Sequence, residues 1–244
     1  MTQQPRWIYL NRKKPYVTYG LIGLNVVMFL ATLYMQYFLR YPNGQALLIL
    51  GAKENTLITC GQYWRLLTAG FLHGGLMHLI SNLLGLYFWG PQIEALLGRG
   101  KYIFVYLFST LFGFLLSYLC TEGFAVGASC AIFGLFGALL YFRTRYKDVF
   151  DRAFGMQVLV IIGINLFSGF VTTGIDNWGH IGGLVGGFCA AYATGLYREK
   201  PNFRRVLTWL GLIAACAFLF VFGIRKYSAA LQIPMFSFIR IPLK

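Results

Sequence analysis

Residues 125–142 read AVGASCAIFGLFGALLYF. Apart from Ser129 and Tyr141, the stretch from Gly127 to Phe142 is wholly apolar or small, and it is long enough to lie inside a membrane. Gly127, Ala131, Gly134 and Ala138 recur at helical spacing. Such a stripe of small residues lets a second helix come very close. A matching stripe stands in DNWGHIGGLVGGFCAAY, residues 176–192, at Gly179, Gly183, Gly187 and Ala190. The two stretches predict a pair of helices packed backbone to backbone, and the rest of the chain is read around them.

The surrounding composition is that of a membrane protein. The 244 residues are 58% hydrophobic and 11% charged, with a mean hydropathy of +0.63, whereas a soluble domain carries about 25% charged residues. Apolar runs of about 20 residues read as spanning helices, and a helix satisfies its own backbone in lipid. Seven spans are expected: Val17–Phe38, Leu66–Trp89, Tyr102–Cys120, Gly127–Phe142, Met156–Thr172, Asn177–Tyr197 and Val206–Ile224. The expected fold is an all-α polytopic membrane protein of one domain. Residues 1–16 form a short cytoplasmic segment, 17–197 a six-helix core, 198–224 a loop and seventh span, and 225–244 an outer tail.

A formal charge of +14 would suggest nucleic acid in a soluble protein, but here the basic residues sit in the loops between spans. Fourteen of the 21 Lys and Arg residues fall on the side of the N-terminus, among them Arg12, Arg99, Arg143 and Arg205. The other side holds Arg40, Lys53, Arg65, Arg225, Lys226, Arg240 and Lys244. The positive-inside rule then predicts a cytoplasmic N-terminus and an extracytoplasmic C-terminus. Cys60, Cys120, Cys130, Cys189 and Cys216 show no metal-ligand spacing. Cys60 and Cys120 fall on one side and are the pair placed to form a disulfide, although five small buried residues is the plainer reading.

In this topology Ser129 and His180 enter the membrane from the outside at similar depth, each beside a small-residue stripe. The second span brings His73, His78 and Asn82 into the same half. Ionisable groups inside a membrane are functional candidates by default. A serine hydroxyl becomes a nucleophile when a base within about 2.6–3.2 Å takes its proton, and a neutral histidine in an apolar pocket is such a base. His78 and Asn82, four residues apart, share a helix face. With the Ser129 backbone N–H they are candidates to hold a developing oxyanion. Asp176, four residues before His180, reads as the cap of the sixth span rather than a third catalytic acid. The layout is therefore a Ser–His dyad.

These residues resemble the rhomboid intramembrane serine proteases. The matching pieces are YWRLLTAGFLHGGLMHLISNLLGLYFWGPQIEALLG, GASCAIFGLFGALL and DNWGHIGGLVGG, which cover most of residues 63–190 in the family's order. The resemblance implies a bacterial enzyme with a six-helix core and an added seventh helix, in the plasma membrane. It implies Ser129 as nucleophile, His180 as base, and His78, Asn82 and the Ser129 N–H as the oxyanion site. Phe133 would pack on the imidazole, Trp64 and Arg65 would belong to a structural first loop, Glu94 would be a structural polar residue, and His73 would support. Gly127, Gly183 and Gly187 would serve close packing. The family usually has glycine after the serine, and here it is Cys130. Successive helical side chains point about 100° apart, so Cys130 should face away from His180.

The implied activity is endopeptidase cleavage of transmembrane protein substrates in the lipid bilayer through an acyl-enzyme, with no cofactor, no metal and no nucleic acid; the oligomeric state stays open. A rhomboid-like pseudoprotease that binds membrane clients without cutting them is the alternative, with Cys130 its main support. A transporter would want more intramembrane charge or inverted repeats. A zinc protease would want H-E-x-x-H, which does not occur, and His73 and His78 would fall on different faces of one helix. Two buried aspartates are also missing, since Asp148, Asp151 and Asp176 all lie near span ends.

Overall fold

In a computed structural model the chain is described over residues 14–197, 199 and 202–231. Most of the expected N-terminal segment, the tail beyond 231, and Arg6, Arg12, Lys13, Arg198, Lys200, Arg240 and Lys244 of the charge count lie outside the described residues.

The described chain is a helical bundle. Helix α1 (Tyr16–Tyr37) is followed by a first loop containing α2 (Asn43–Leu50), the two-residue strand β1 (Lys53–Glu54), α3 (Asn55–Thr59), α4 (Arg65–Thr68) and a 3₁₀ turn (Ala69–Phe71). Then come α5 (Leu76–Leu97), α6 (Arg99–Cys120), strand β2 (Phe124–Ala125), α7 (Ser129–Arg145), α8 (Lys147–Ala153), α9 (Gln157–Val171), α10 (Asn177–Thr194) and α11 (Phe203–Leu231). By length and hydropathy α1, α6 and α11 can each cross a membrane alone, and two bent helix pairs, α4 to α5 and α8 to α9, pass the same test as units. The fold is a polytopic all-helical membrane protein.

Helix α7 is the central post. Every residue from Cys130 to Leu139 is buried, as expected of a helix apolar on all sides. Such a helix meets protein rather than lipid, so it needs neither the length nor the hydropathy of an outer span. Its closest neighbour is α10. A methyl group placed on Gly187 would come within 2.0 Å of Gly134 O, one on Gly183 within 2.1 Å of Cys130 O, and one on Gly137 within 2.1 Å of Leu184 O. Only hydrogen fits at these points. The paired stripes therefore meet, with Gly137 joining them. Gly127 is the exception: it precedes the helix at φ +130°, packed on His78 rather than on α10.

The second expected span, Leu66–Trp89, is displaced. The structure bends by 91° between residues 65–71 and 76–97, and the helix runs Leu76–Leu97. The cause is nonlocal. Arg65 is buried, and its guanidinium donates to Leu48 O at 2.7 Å, Ala52 O at 2.8 Å and Gln62 Oε1 at 2.8 Å. These bonds hold α4 in the first loop, and the chain leaves through extended Gly75. Trp64 beside it is exposed. The fifth expected span is likewise preceded by α8 at 74°.

At the opposite end Glu94 caps α1, accepting from Thr18 N at 2.9 Å, Thr18 Oγ1 at 2.8 Å and Val17 N at 3.3 Å. The five cysteines are free, so Cys60 and Cys120 are not joined.

Candidate active site

Helix α7 starts at Ser129 because the preceding Gly127 takes a left-handed backbone open to glycine. The first turn of a helix leaves its N–H groups without intrahelical acceptors and carries the positive end of the helix dipole. Ser129 thus stands where unpaired backbone donors point out of the bundle. Helix α10 starts at Asn177, with Asp176 Oδ1 accepting from Gly179 N at 3.0 Å as its cap. The glycine contacts between α7 and α10 bring the two starts side by side.

There Ser129 Oγ and His180 Nε2 are 2.9 Å apart. The imidazole is buried, and Phe133, one turn below Ser129, stacks on it with ring centroids 4.4 Å apart and planes within 10°. His180 Nδ1 meets no hydrogen-bond partner among the described residues. Its ring is therefore oriented by stacking and by the helix start, with no carboxylate bonded to it among the described residues.

The pair opens into a cavity of about 830 Å³ between α5, α7 and α9, lined in part by His78, Asn82, Trp89, Ser129, Phe133 and His180. His78 Nε2 lies against Gly127, 2.7 Å from where a methyl there would sit. Asn82 Nδ2 donates to His78 O at 2.8 Å. An amide nitrogen carries two protons, so this bond uses one and leaves one.

His73 is placed differently from expectation. It lies in the bend before α5, fully buried, and its ring meets His78 edge-on at 5.1 Å. Two histidines expected on separate faces of one helix are neighbours because the helix begins only at Leu76. Cys130 does not line the cavity. Its Cβ and sulfur pack against Gly113 and Gly179 on the far side of α7. Trp64, Arg65, Glu94, Gly183 and Gly187 also lie away from the cavity, and Arg65, Glu94 and the two glycines make the framework contacts described above.

The far wall of the cavity is poorly marked in the sequence. Trp89 on α5, Phe136 on α7, and Ile161 and Asn165 on α9 line the same cavity. The apolar members looked like ordinary span residues, but Asn165 was a polar signal in an apolar run. Lys53, too, reads in the sequence only as topology charge.

Fold and site together define a polytopic helical membrane protein with a serine–histidine pair at the mouth of an internal cavity. The Rhomboid domain family model matches residues 60–197, and the chain belongs to the rhomboid family. It is 40% identical over 220 residues to rhomboid protease GluP of Bacillus subtilis (strain 168), covering 88% of this chain and 42% of that protein. It is 29% identical over 148 residues to putative rhomboid protease YdcA of the same organism, covering 60% and 74% respectively. Rhomboid-like protease 3 of Toxoplasma gondii is 30% identical over 186 residues, covering 74% and 70%. The chain thus spans less than half the length of GluP, and about half that of an Arabidopsis thaliana relative, RHOMBOID-like protein 5, at 49%.

Proposed function

We propose that the chain is a serine endopeptidase that cuts peptide bonds in or beside transmembrane helices. The observation that carries this reading is the 2.9 Å contact between Ser129 Oγ and His180 Nε2 across two separate helices, at the wall of a cavity. Ser129 Oγ attacks the carbonyl carbon while His180 Nε2 takes its proton. The oxyanion is held by the Ser129 N–H, the remaining Asn82 amide proton and His78 Nε2–H. The intermediate collapses, the C–N bond breaks, and the departing amine takes the proton from His180. Water, activated by the same imidazole, then hydrolyses the acyl-serine.

A helical peptide bond is shielded by its own turn, so the favoured substrate segment carries Gly or Pro and a small residue at the cut. The loop at residues 172–176 and helix α9, which border the cavity, are the parts that would move aside. The chain is assigned to a bacterial plasma membrane with its N-terminus cytoplasmic, its C-terminus extracytoplasmic and Ser129 near the outer face. The client-binding alternative drew on Cys130 crowding the pocket, and the packing of that side chain on Gly113 and Gly179 gives it no support.

The test is labelling of detergent-solubilised protein by a fluorescent fluorophosphonate, comparing wild type with Ser129→Ala, His180→Ala and Cys130→Gly. Wild type and Cys130→Gly should label, and the other two should stay dark. Asn82→Ala should slow labelling by about 10²–10³, the usual effect of losing one oxyanion donor. A dark wild type beside a labelling rhomboid control would overturn the reading.

A further inference from the structure

Lys53 is fully buried, and no salt bridge to it occurs among the described residues. Its ammonium donates instead to Thr121 O at 2.8 Å and Gly123 O at 3.3 Å. A buried cation is costly unless its protons are taken up. Here they meet carbonyls just past the C-terminus of α6, the negative end of that helix. Asn55 joins from α3, its amide donating to Thr121 O at 3.0 Å.

Thr121 passes the connection onward. Its hydroxyl donates to Asp176 Oδ1 at 2.9 Å, the same oxygen that accepts from Gly179 N to cap α10. His180 N donates to Asp176 O at 3.1 Å. Three hydrogen bonds, joined through the covalent atoms of Thr121 and Asp176, thus link Lys53 to the residue carrying the imidazole. The serine is referenced to the same loop. β1 pairs antiparallel with β2, Lys53 opposite Ala125, and Gly127 N donates to Ala69 O at 3.0 Å, so the strand leading into Ser129 is fixed by the first loop from two sides. With Nδ1 of His180 unpartnered, this frame is a polar restraint on the helix start that carries the imidazole.

We propose that Lys53, acting through Thr121 and Asp176, is a positioning residue that holds Ser129 and His180 at reacting distance. The proposal rests on the catalytic reading of that pair. Neither Lys53 nor Thr121 is assigned to touch the scissile bond.

The test is fluorophosphonate labelling kinetics against probe concentration, which separates the maximal rate kinact from the half-saturating concentration KI. Thr121→Val keeps the shape and removes the hydroxyl. Lys53→Met keeps the length and removes the donor. A hydrogen bond to a charged group is worth enough to change a rate about tenfold. Both variants should lose about tenfold in kinact with KI within about twofold, and Thr121→Ser should restore kinact to within about twofold.

An unchanged kinact in folded Thr121→Val, or a raised KI with kinact intact, would overturn the proposal by making these contacts mere wall packing. Folding is followed by the melting transition. Should Thr121→Val or Lys53→Met fail it, Thr121→Ala, which removes the hydroxyl and leaves the Asp176 cap of α10 intact, supplies the decision: a drop in kinact at unchanged KI supports the relay, and wild-type kinetics refutes it. A wild type that never labels sinks the catalytic reading itself, whereas a labelling wild type with an indifferent Thr121→Val sinks the relay alone.

Discussion

Lys53 carries a stability signature separable from any catalytic one. Burial pulls its ammonium pKa down from the ordinary lysine value of 10.5 to about 8, against the opposing pull of Asp176 and Glu54. Cys130 and Lys226 also face it. In the unfolded chain the amine keeps its proton up to the ordinary value. Between about pH 8 and 10.5 the unfolded state therefore binds more protons at this site, and folding stability rises with pH through that window. The expected outcome is that the melting temperature of wild type, relative to Lys53→Met, increases from pH 8 to pH 10. Taking the difference cancels the tyrosines and cysteines that titrate in the same range. Parallel pH curves for the two proteins would show that the site is hydrated rather than buried.

At the scale of elements, the α7–α10 interface decides whether the serine and histidine meet. A methyl on Gly187 would sit 2.0 Å from Gly134 O and 2.3 Å from Gly134 Cα. Both are backbone atoms, so relief requires the helices to part. Gly187→Ala should therefore lower the melting temperature and reduce labelling by about tenfold or more, at the cost typical of an overpacked core. Gly211→Ala on α11, which meets nothing within 4 Å, should leave labelling unchanged and stabilise by up to about 1 kcal/mol through helix propensity. Equal behaviour of the two alanines would mean that the interface is loose. This interface was legible in the sequence because a small residue every third or fourth position is a local pattern. The same holds for His78 and Asn82, which share a helix face. The break before α5 was not legible: Leu66 to Trp89 is apolar almost throughout, and what holds its first turn away is Arg65 reaching carbonyls 17 and 13 residues earlier. The Lys53–Thr121 and Thr121–Asp176 bonds span 68 and 55 residues, and no spacing rule reaches that far.

For the whole molecule, the distribution of exposed basic residues decides the side of the membrane on which the site is expected to lie. At the end of the bundle carrying Ser129, Lys53 and Arg65 are buried inside the first loop, bound to carbonyls, while Arg40, Arg225 and Lys226 are exposed. At the opposite end Arg99, Arg145, Lys147 and Arg152 are exposed. With Lys14 and Arg204 also exposed there, the described residues carry six exposed basic side chains away from the candidate site against three beside it, and the positive-inside rule assigns the more charged end to the cytoplasm. The assignment is testable with a membrane-impermeant maleimide on intact cells. In a Cys120→Ser background, which removes an exposed native thiol, Thr173→Cys reports on the loop beside the cavity and Asp148→Cys on α8. Both positions are exposed. Thr173→Cys should label in intact cells, and Asp148→Cys only after lysis. The reverse pattern would put the Ser129–His180 pair on the cytoplasmic side and restrict candidate substrates to segments that unwind there. Equal labelling at both sites would mean that the chain inserts in two orientations, and neither the charge bias nor the buried lysine and arginine would then decide the side on which the chemistry occurs.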